Sequence, residues 1–136
     1  MDTTASPFFS LLRAQLDHLG TRQKLIAENI ANATTPGFTP RDTDETAFAQ
    51  AMASFSSSNT LAVARTDPGH LGGASAAAIS KVISSPDGET TLDGNSVVLE
   101  DQMMKAAETR MGYETSLALY QKGLDLVRLA IKAPGR

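Results

Sequence analysis

The final third of the chain carries a regular apolar repeat, which restricts the possible folds more than any other feature of the sequence. From Leu99 to Ile131, residues at alternating steps of four and three form one stripe that only Arg110 interrupts. The stripe consists of Leu99, Met103, Ala106, Arg110, Tyr113, Leu117, Tyr120, Leu124, Val127 and Ile131. A period of about 3.5 residues kept over this length is typical of a coiled-coil or bundle helix. It predicts one helix of about 35 residues, roughly 50 Å long.

Beside this stripe, Leu119, Leu126 and Leu129 widen the apolar surface of the same helix. A helix that is apolar over a wide arc is normally covered by several neighbouring helices. The chain offers only one other long helical segment, which is too little to cover this surface. The pattern therefore predicts a two-helix unit that completes its core against copies of itself or against related chains.

The N-terminal region holds the other long helical pattern. Ser6-Pro7 is a favourable helix start, because a capping hydroxyl precedes a proline at the first helical position. Apolar residues then recur at heptad spacing, with Gln23 as the one polar position: Phe9, Leu12, Leu16, Leu19, Ile26 and Ile30. The helix is predicted to stop near Ala33, before Pro36-Gly37, a pair that suits the centre of a type II turn.

The middle of the chain divides by composition into two parts. Residues 36–53 hold the turn and a short second helix. In residues 54–94, Ser, Ala, Gly, Thr and Pro make up more than half of the segment, so little apolar surface is available to offset its ordering entropy. A flexible, low-complexity insertion is predicted there. Within it, residues 79–83 and 90–92 flank Pro86-Asp87-Gly88 and are predicted to pair as a small hairpin.

Together these patterns predict an all-α fold. The long N- and C-terminal helices, residues 1–35 and 95–136, are expected to pack as a coiled-coil-like hairpin. The Ser/Ala/Gly-rich middle connects them and holds the small hairpin.

Composition excludes several classes of protein. The 136-residue chain has no cysteine, and so no disulfide, no cysteine-ligated zinc and no thiol nucleophile. Its net charge of -3, with scattered Lys and Arg, argues against nucleic-acid binding. No apolar stretch approaches the roughly 20 residues of a membrane span. Residues 1–10 lack the basic and apolar regions of a cleaved secretory leader.

The sequence nominates no catalytic, cofactor-binding or metal-ligating residue. His18 and His70 lie in different segments, and each is interpreted as a surface or capping histidine. Asp42 and Asp44 stand at a predicted helix start, where acidic residues complement the helix dipole. No phosphate-binding glycine loop or Gly-x-Ser-x-Gly motif is present. We therefore expect a protein without enzymatic activity, cofactor or metal.

One motif points to a family. Residues 27–38 read Ala-Glu-Asn-Ile-Ala-Asn-Ala-Thr-Thr-Pro-Gly-Phe. This segment resembles the N-terminal signature of the flagellar rod, hook and hook-associated protein family. Residues 40–44, 65–71 and 92–100 resemble one branch of that family, the short proximal rod proteins.

Two positions depart from the pattern of that branch. Glu45 stands where an aromatic residue is usual, with Phe48 as the nearest substitute. Val98 stands where an acidic residue is usual, so Asn95 or Ser96 is predicted to cap the C-terminal helix.

The resemblance implies a structural subunit of the proximal rod of the bacterial flagellar basal body. Such a subunit passes through the flagellar type III export apparatus without a cleaved signal peptide and joins the torque-transmitting rod in the periplasm. Its implied partners are copies of itself, other flagellar rod and rod-base proteins, and the export apparatus. A soluble helical adaptor or regulator of flagellar export, using the same amphipathic helices, is the alternative.

The expected site residues form interfaces rather than a catalytic centre. On the N-terminal helix they are Phe9, Leu12, Leu16, Leu19, Ile26 and Ile30. On the C-terminal helix they are Leu99, Met103, Tyr113, Leu117, Tyr120, Leu124, Val127 and Ile131. Of these, Leu117, Leu124, Val127 and Ile131 are expected to form its core. The turn motif comprises Asn29, Asn32, Thr35, Pro36, Gly37 and Phe38.

Overall fold

The computed structural model describes residues 7–57 and 80–132. In chain order it comprises helix α1 (Pro7–Ala31), strand β1 (Arg41–Thr43), helix α2 (Glu45–Ser57), strand β2 (Val82–Ser84) and helix α3 (Leu99–Lys132). The all-α prediction is confirmed, because long helices at both ends of the chain account for most of this structure. The predicted cap at Ser6, His70 and the motif at 65–71 lie outside the described residues.

Helices α1 and α3 pack side by side in opposite directions. Near the start of α1, the ring of Phe9 meets the ring of Tyr120 edge-on, with ring centroids 5.4 Å apart. Near the end of α1, the side chain of Asn29 bonds to Gln102. Helix α3 spans 34 residues, close to the length predicted from its repeat, and α1 ends at Ala31, slightly before its predicted end.

The face of α3 that is most deeply buried against α1 is polar, and residues of the predicted apolar stripe are at most half-buried. Its most deeply buried residues are Gln102, Thr109 and Ser116, which recur at every seventh position. Apolar side chains buried in this part of the chain come from α1 instead: Phe9, Leu12, Leu25 and Ile26. Small or polar side chains on α3 allow the large side chains of α1 to approach its backbone closely.

Two glycines of α3 show how close this approach is. A Cβ atom at Gly112 would lie 3.6 Å from Leu19 Cδ1, and a Cβ atom at Gly123 would lie 3.1 Å from Phe9 Cε1. With this face filled by α1, the expected core residues Leu117 and Ile131 remain 37% and 74% exposed. Besides the predicted contact of Phe9 with Tyr120, large apolar side chains of α1 thus pack against small and polar residues of α3.

A two-stranded antiparallel sheet joins the segment after α1 to the segment before α3. Asp42 of β1 lies opposite Ile83 of β2. The prediction that residues 79–83 pair with 90–92 is therefore wrong, since residues 82–84 pair with β1; residue 79 lies outside the described part of the chain.

Residues 91–95 form a tight turn instead of a strand. Gly94 N donates to Thr91 O at 2.9 Å, and Thr91 N donates to Asn95 O at 2.8 Å. Gly94 has φ +78°, the left-handed conformation that closes such a turn. The chain reverses at Asp93-Gly94, so Pro86-Asp87-Gly88 is not the centre of a hairpin.

Helix α2 covers a histidine of α1. His18 is buried, and its ring stacks on Phe48 with centroids 3.9 Å apart. The interpretation of His18 as a surface or capping residue is therefore wrong.

Asp44 caps α2, as its predicted position implies, by accepting bonds from the Thr46 hydroxyl and from the N–H groups of Ala47 and Thr46; these bonds, in that order, lower the pKa of Asp44.

Candidate assembly interface

The turn that follows α1 has the predicted type II geometry. Phe38 N donates to Thr35 O at 3.3 Å, and Gly37 has φ +70°. Pro36 occupies the position before Gly37, where its fixed φ suits this turn. Gly37 N also donates to Asp93 O at 2.9 Å, which joins this turn to the turn at 91–95.

Replacing Gly37 with valine is expected to destabilise the fold by about 1 to 3 kcal/mol, because a β-branched residue resists positive φ. A Cβ atom at Gly37 meets nothing within 4 Å, so backbone strain is the cause. Gly88→Val is the matched control, since Gly88 is equally open and lacks a positive φ. Urea unfolding of both variants checks this. Equal loss of stability in the two variants would contradict the conclusion that the positive φ of Gly37 requires glycine.

Asn29 ties the end of α1 to both neighbouring elements. Its side chain is only 2% exposed. Its Nδ2 group donates to Arg41 O at 2.8 Å and to Gln102 Oε1 at 3.0 Å, while its Oδ1 accepts from Arg41 N at 3.0 Å. One amide side chain thereby satisfies backbone groups of β1 and fixes the position of α3 along α1.

Asn95 closes the C-terminal end of α1. Its Nδ2 group donates to Asn32 O at 2.9 Å and to Thr35 O at 2.7 Å, two carbonyl groups just beyond the helix. Its Oδ1 accepts from Val97 N at 2.8 Å. Carbonyl groups at a helix end require such donors. The Asn95 side chain therefore satisfies carbonyl groups at the end of α1. The prediction that Asn95 or Ser96 caps α3 is wrong.

Asp87 occupies the start of α3 in place of the predicted cap. Its Oδ2 accepts from Val98 N at 3.0 Å and from Gln102 Nε2 at 2.9 Å, and its Oδ1 accepts from Lys105 Nζ at 2.9 Å. The side chain is 2% exposed. A carboxylate at this position complements the positive end of the helix dipole, so a residue remote in sequence supplies the charge that the helix start needs.

The carboxyl group of Asp87 is held in its charged form. Burial by itself raises its pKa, but hydrogen bonds from Lys105, Gln102 and the Val98 N–H group together outweigh burial and hold the pKa below the ordinary value of 3.8. Because the folded-state pKa is the lower one, Asp87 stabilises the fold above pH 3.8. This stabilisation is lost as the pH falls through the folded-state value.

The free energy of unfolding is therefore expected to decrease as the pH drops from about 5 toward the folded-state pKa of Asp87. Asp87→Asn should lose about 1 to 3 kcal/mol near neutral pH and less in acid. Urea unfolding from neutral to acidic pH measures both effects. Glu114→Gln, which removes an exposed carboxyl group from α3, is the control. If Asp87→Asn loses stability equally at all pH values, Asp87 does not cause the acid sensitivity.

An apolar groove runs between α1 and α3 on one side of the hairpin. Ile26 and Ile30 line it from α1, and Ala106, Tyr113 and Leu117 line it from α3. Its volume is about 470 Å³. Arg110 and Glu114, which form an exposed ion pair at 3.0 Å, border it. The groove joins residues from both predicted interface sets.

The predicted interface residues fall into three groups by exposure. Phe9, Leu12 and Ile26 are buried inside the hairpin. Leu16, Leu19, Tyr113, Tyr120, Leu124 and Val127 are half-buried. Ile30, Leu99, Met103, Leu117 and Ile131 are exposed. In the turn motif, Asn29 is buried, Asn32 and Phe38 are half-buried, and Thr35, Pro36 and Gly37 are exposed.

Sequence reasoning missed three residues that hold these elements together: Arg22, Asp87 and Gln102. Arg22 binds both carboxylate oxygens of Asp42, at 3.0 and 3.1 Å. Asp42 therefore forms an ion pair instead of serving at a helix start. Gln102 lies next to the apolar stripe in the sequence, and the regular recurrence of Gln102, Thr109 and Ser116 was the signal that could have revealed the packed face.

Among residues 7–57 and 80–132, no three metal-ligating side chains come together. No helix in these ranges has the length and apolarity needed to cross a membrane. The structure presents two long paired helices with polar groups between them and large apolar side chains outside. These features define a helical structural protein of the kind that assembles by helix packing.

Comparison with known proteins identifies the family. No protein-family model matches the chain. The chain is 35% identical over 112 residues to a flagellar basal body rod protein FlgB from Cereibacter sphaeroides, a match that covers 82% of this chain and 84% of that protein. A protein of the same name from Agrobacterium fabrum is 32% identical over 127 residues, covering 91% of this chain and 92% of its own length. The chain belongs to the FlgB family of flagellar basal body rod proteins.

Proposed function

We propose that this chain is a structural subunit of the proximal rod of the bacterial flagellar basal body. Its role is to assemble through α1 and α3 into the axial rod that transmits torque across the periplasm. The observation that carries the proposal is the exposure of large apolar residues on α3, including Met103 at 60% and Ile131 at 74%, while its polar face packs on α1. A helix arranged in this way needs neighbouring subunits.

The energetics favour assembly as the source of stability. Inside the hairpin, α3 contributes mainly Gln102, Thr109 and Ser116 to the packed face, and these bury little apolar area. Each leucine or isoleucine covered by a neighbour would add about 1.5 to 3 kcal/mol. Covering the exposed apolar residues of α3 would therefore add to the stability that the hairpin has by itself.

The interface residues predicted from the sequence become two surfaces in this proposal. The half-buried and exposed members of the α3 set, from Leu99 to Ile131, contact neighbouring subunits. Most residues of the α1 set pack inside the hairpin and hold α3 in place, and exposed Ile30 lines the groove between the two helices. The partners in this proposal are copies of this chain and other rod and rod-base proteins. The proposed role of the chain involves no catalysis, no cofactor and no nucleic acid. The subunit reaches the periplasm through the flagellar type III export apparatus.

Quantitative mass spectrometry of purified hook-basal bodies from the source bacterium tests this proposal. We expect this chain at a fixed ratio of several copies to the other rod proteins after stringent washing. A strain lacking the gene serves as the blank. Absence of the chain from basal bodies, in a bacterium that still requires the gene to swim, would contradict a structural role and support the export adaptor.

A further inference from the structure

We propose that the free chain forms a two-fold dimer in which the outer faces of two α3 helices pack antiparallel. The outer face is a shallow depression of about 580 Å³ near the C-terminal end of α3, on the side away from α1. This dimer is distinct from the rod contacts of the proposed function, because the free subunit forms it. Among the described residues, only exposed side chains of α3 line the outer face: Ala118, Gln121, Lys122, Asp125, Leu126 and Leu129.

Four of these residues form a second heptad stripe on α3. Ala118, Lys122, Asp125 and Leu129 follow one another at steps of four, three and four residues. This is the spacing of the positions that meet between the helices of a coiled coil. Because α1 packs on the opposite side of α3, another helix can reach this stripe.

The charges of the stripe decide the direction in which a second copy fits. If two α3 helices pair in parallel and in register, Lys122 faces Lys122 of the second copy and Asp125 faces Asp125. Like charges between the helices oppose such a pairing. If the helices run antiparallel with Lys122 opposite Asp125, both charge pairs are attractive. The same register places the small Ala118 opposite the large Leu129 at both ends of the contact. The outer face is therefore complementary to itself in one direction only.

One ion pair within α3 involves the same carboxylate. Arg128 Nη1 donates to Asp125 Oδ1 at 3.0 Å, and both side chains are largely exposed. Such an exposed pair contributes little in water, and a carboxylate accepts further hydrogen bonds through its second oxygen. Lys122 of the second copy can therefore bind Asp125 without displacing Arg128. The attraction itself comes mainly from covering Leu126 and Leu129, both more than half exposed.

Two-fold symmetry gives this dimer a specific consequence. Each copy uses the same surface, so the contact leaves no free outer face to which a third copy could add. The dimer covers Leu126 and Leu129 in the free subunit without starting an open-ended assembly. Since the contact is smaller than a standard stable interface, we expect weak association that an assembly with more contacts displaces.

Disulfide trapping with the purified full-length chain tests the antiparallel register. The chain has no cysteine of its own, so introduced cysteines report the contact directly. Ala118→Cys and Leu129→Cys chains, mixed at up to about 1 mM because the contact is small, are expected to form a disulfide between the two variants. Each variant alone should not, because equivalent positions lie about 16 Å apart along the antiparallel helices. Ala107→Cys, exposed on α3 outside the outer face, replaces Ala118→Cys in the control mixture.

A charge exchange measured by sedimentation equilibrium tests the same contact without a crosslink. Lys122→Asp and Asp125→Lys should each weaken dimerisation at least about tenfold, because like charges then face each other. An equimolar mixture of these two variants should dimerise like the original chain. Glu108→Lys, exposed on α3 outside the outer face, is the control and should dimerise normally.

Three outcomes would overturn the dimer: a monomeric original chain over this concentration range, disulfides formed by each cysteine variant with itself, or charge variants that dimerise normally on their own. These measurements use the purified chain in solution. Their failure therefore leaves the proposed function intact, whereas absence of the chain from basal bodies would refute that function and leave the dimer untouched.

Discussion

Asn29→Ala is expected to lower the free energy of unfolding by about 2 to 4 kcal/mol, the largest stability change among the single substitutions proposed for this chain. The substitution leaves the N–H and carbonyl groups of Arg41 and the side-chain oxygen of Gln102 without the partner that satisfies them. These groups lie beside a side chain that is almost completely buried. Urea unfolding followed by far-UV circular dichroism measures the change.

Asn32→Ala provides the control from the same motif. Asn32 is half-buried, and its Nδ2 group donates to Glu28 O at 2.8 Å, near solvent. Its loss should cost roughly 1 kcal/mol or less, because water can replace the lost partner. If the two asparagine variants are equally stable, Asn29 does not join α1, β1 and α3 in the way that the structure shows.

Leu117→Asp is expected to abolish assembly while leaving the isolated chain folded. Leu117 is 37% exposed and lines the groove beside Ile26 and Ile30. A carboxylate there remains hydrated in the free subunit but must lose its water when a neighbour covers the groove. We expect the number of copies per basal body to fall at least about tenfold, with loss of swimming. Quantitative mass spectrometry and a motility assay measure these effects.

The control for this experiment is Ala107→Asp, which adds the same charge to an exposed position on α3 outside the groove. It should assemble normally. Leu124→Asp is also expected to block assembly, but Leu124 is half-buried, so its loss also disturbs the hairpin. Normal swimming of the Leu117→Asp strain would remove the groove from the set of subunit contacts.

The helices could be predicted from the sequence because their signals are local. The heptad spacing of α3 and the Pro36-Gly37 pair after α1 act on the backbone within a few residues of their own position. The family could also be predicted, since residues 27–38 form a long motif. The two asparagines of that motif were expected as turn residues, and the structure gives Asn29 a wider role through its bonds to β1 and α3.

The candidate site was predicted less completely. Asp87 lies in a segment whose composition indicated flexibility, and its partners Val98 and Lys105 come later in the chain. The pairing of residues 82–84 with β1 also joins segments about 40 residues apart. Such contacts depend on how the helices are placed in space, and no local pattern encodes that placement.

By itself, the sequence determined the lengths of the two long helices, the turn between α1 and β1, and the presence of more apolar surface than one hairpin can cover. Only the tertiary structure decided which face of α3 is covered by α1. The large side chains of Phe9 and Leu19 require small residues opposite them, so Gly112 and Gly123 turn toward α1. Periodicity identifies a helix face by its polarity, whereas packing selects a face by the volume of the side chains that must fit together. Apolar residues of α3 outside this packed face, such as Leu126 and Ile131, consequently stay exposed.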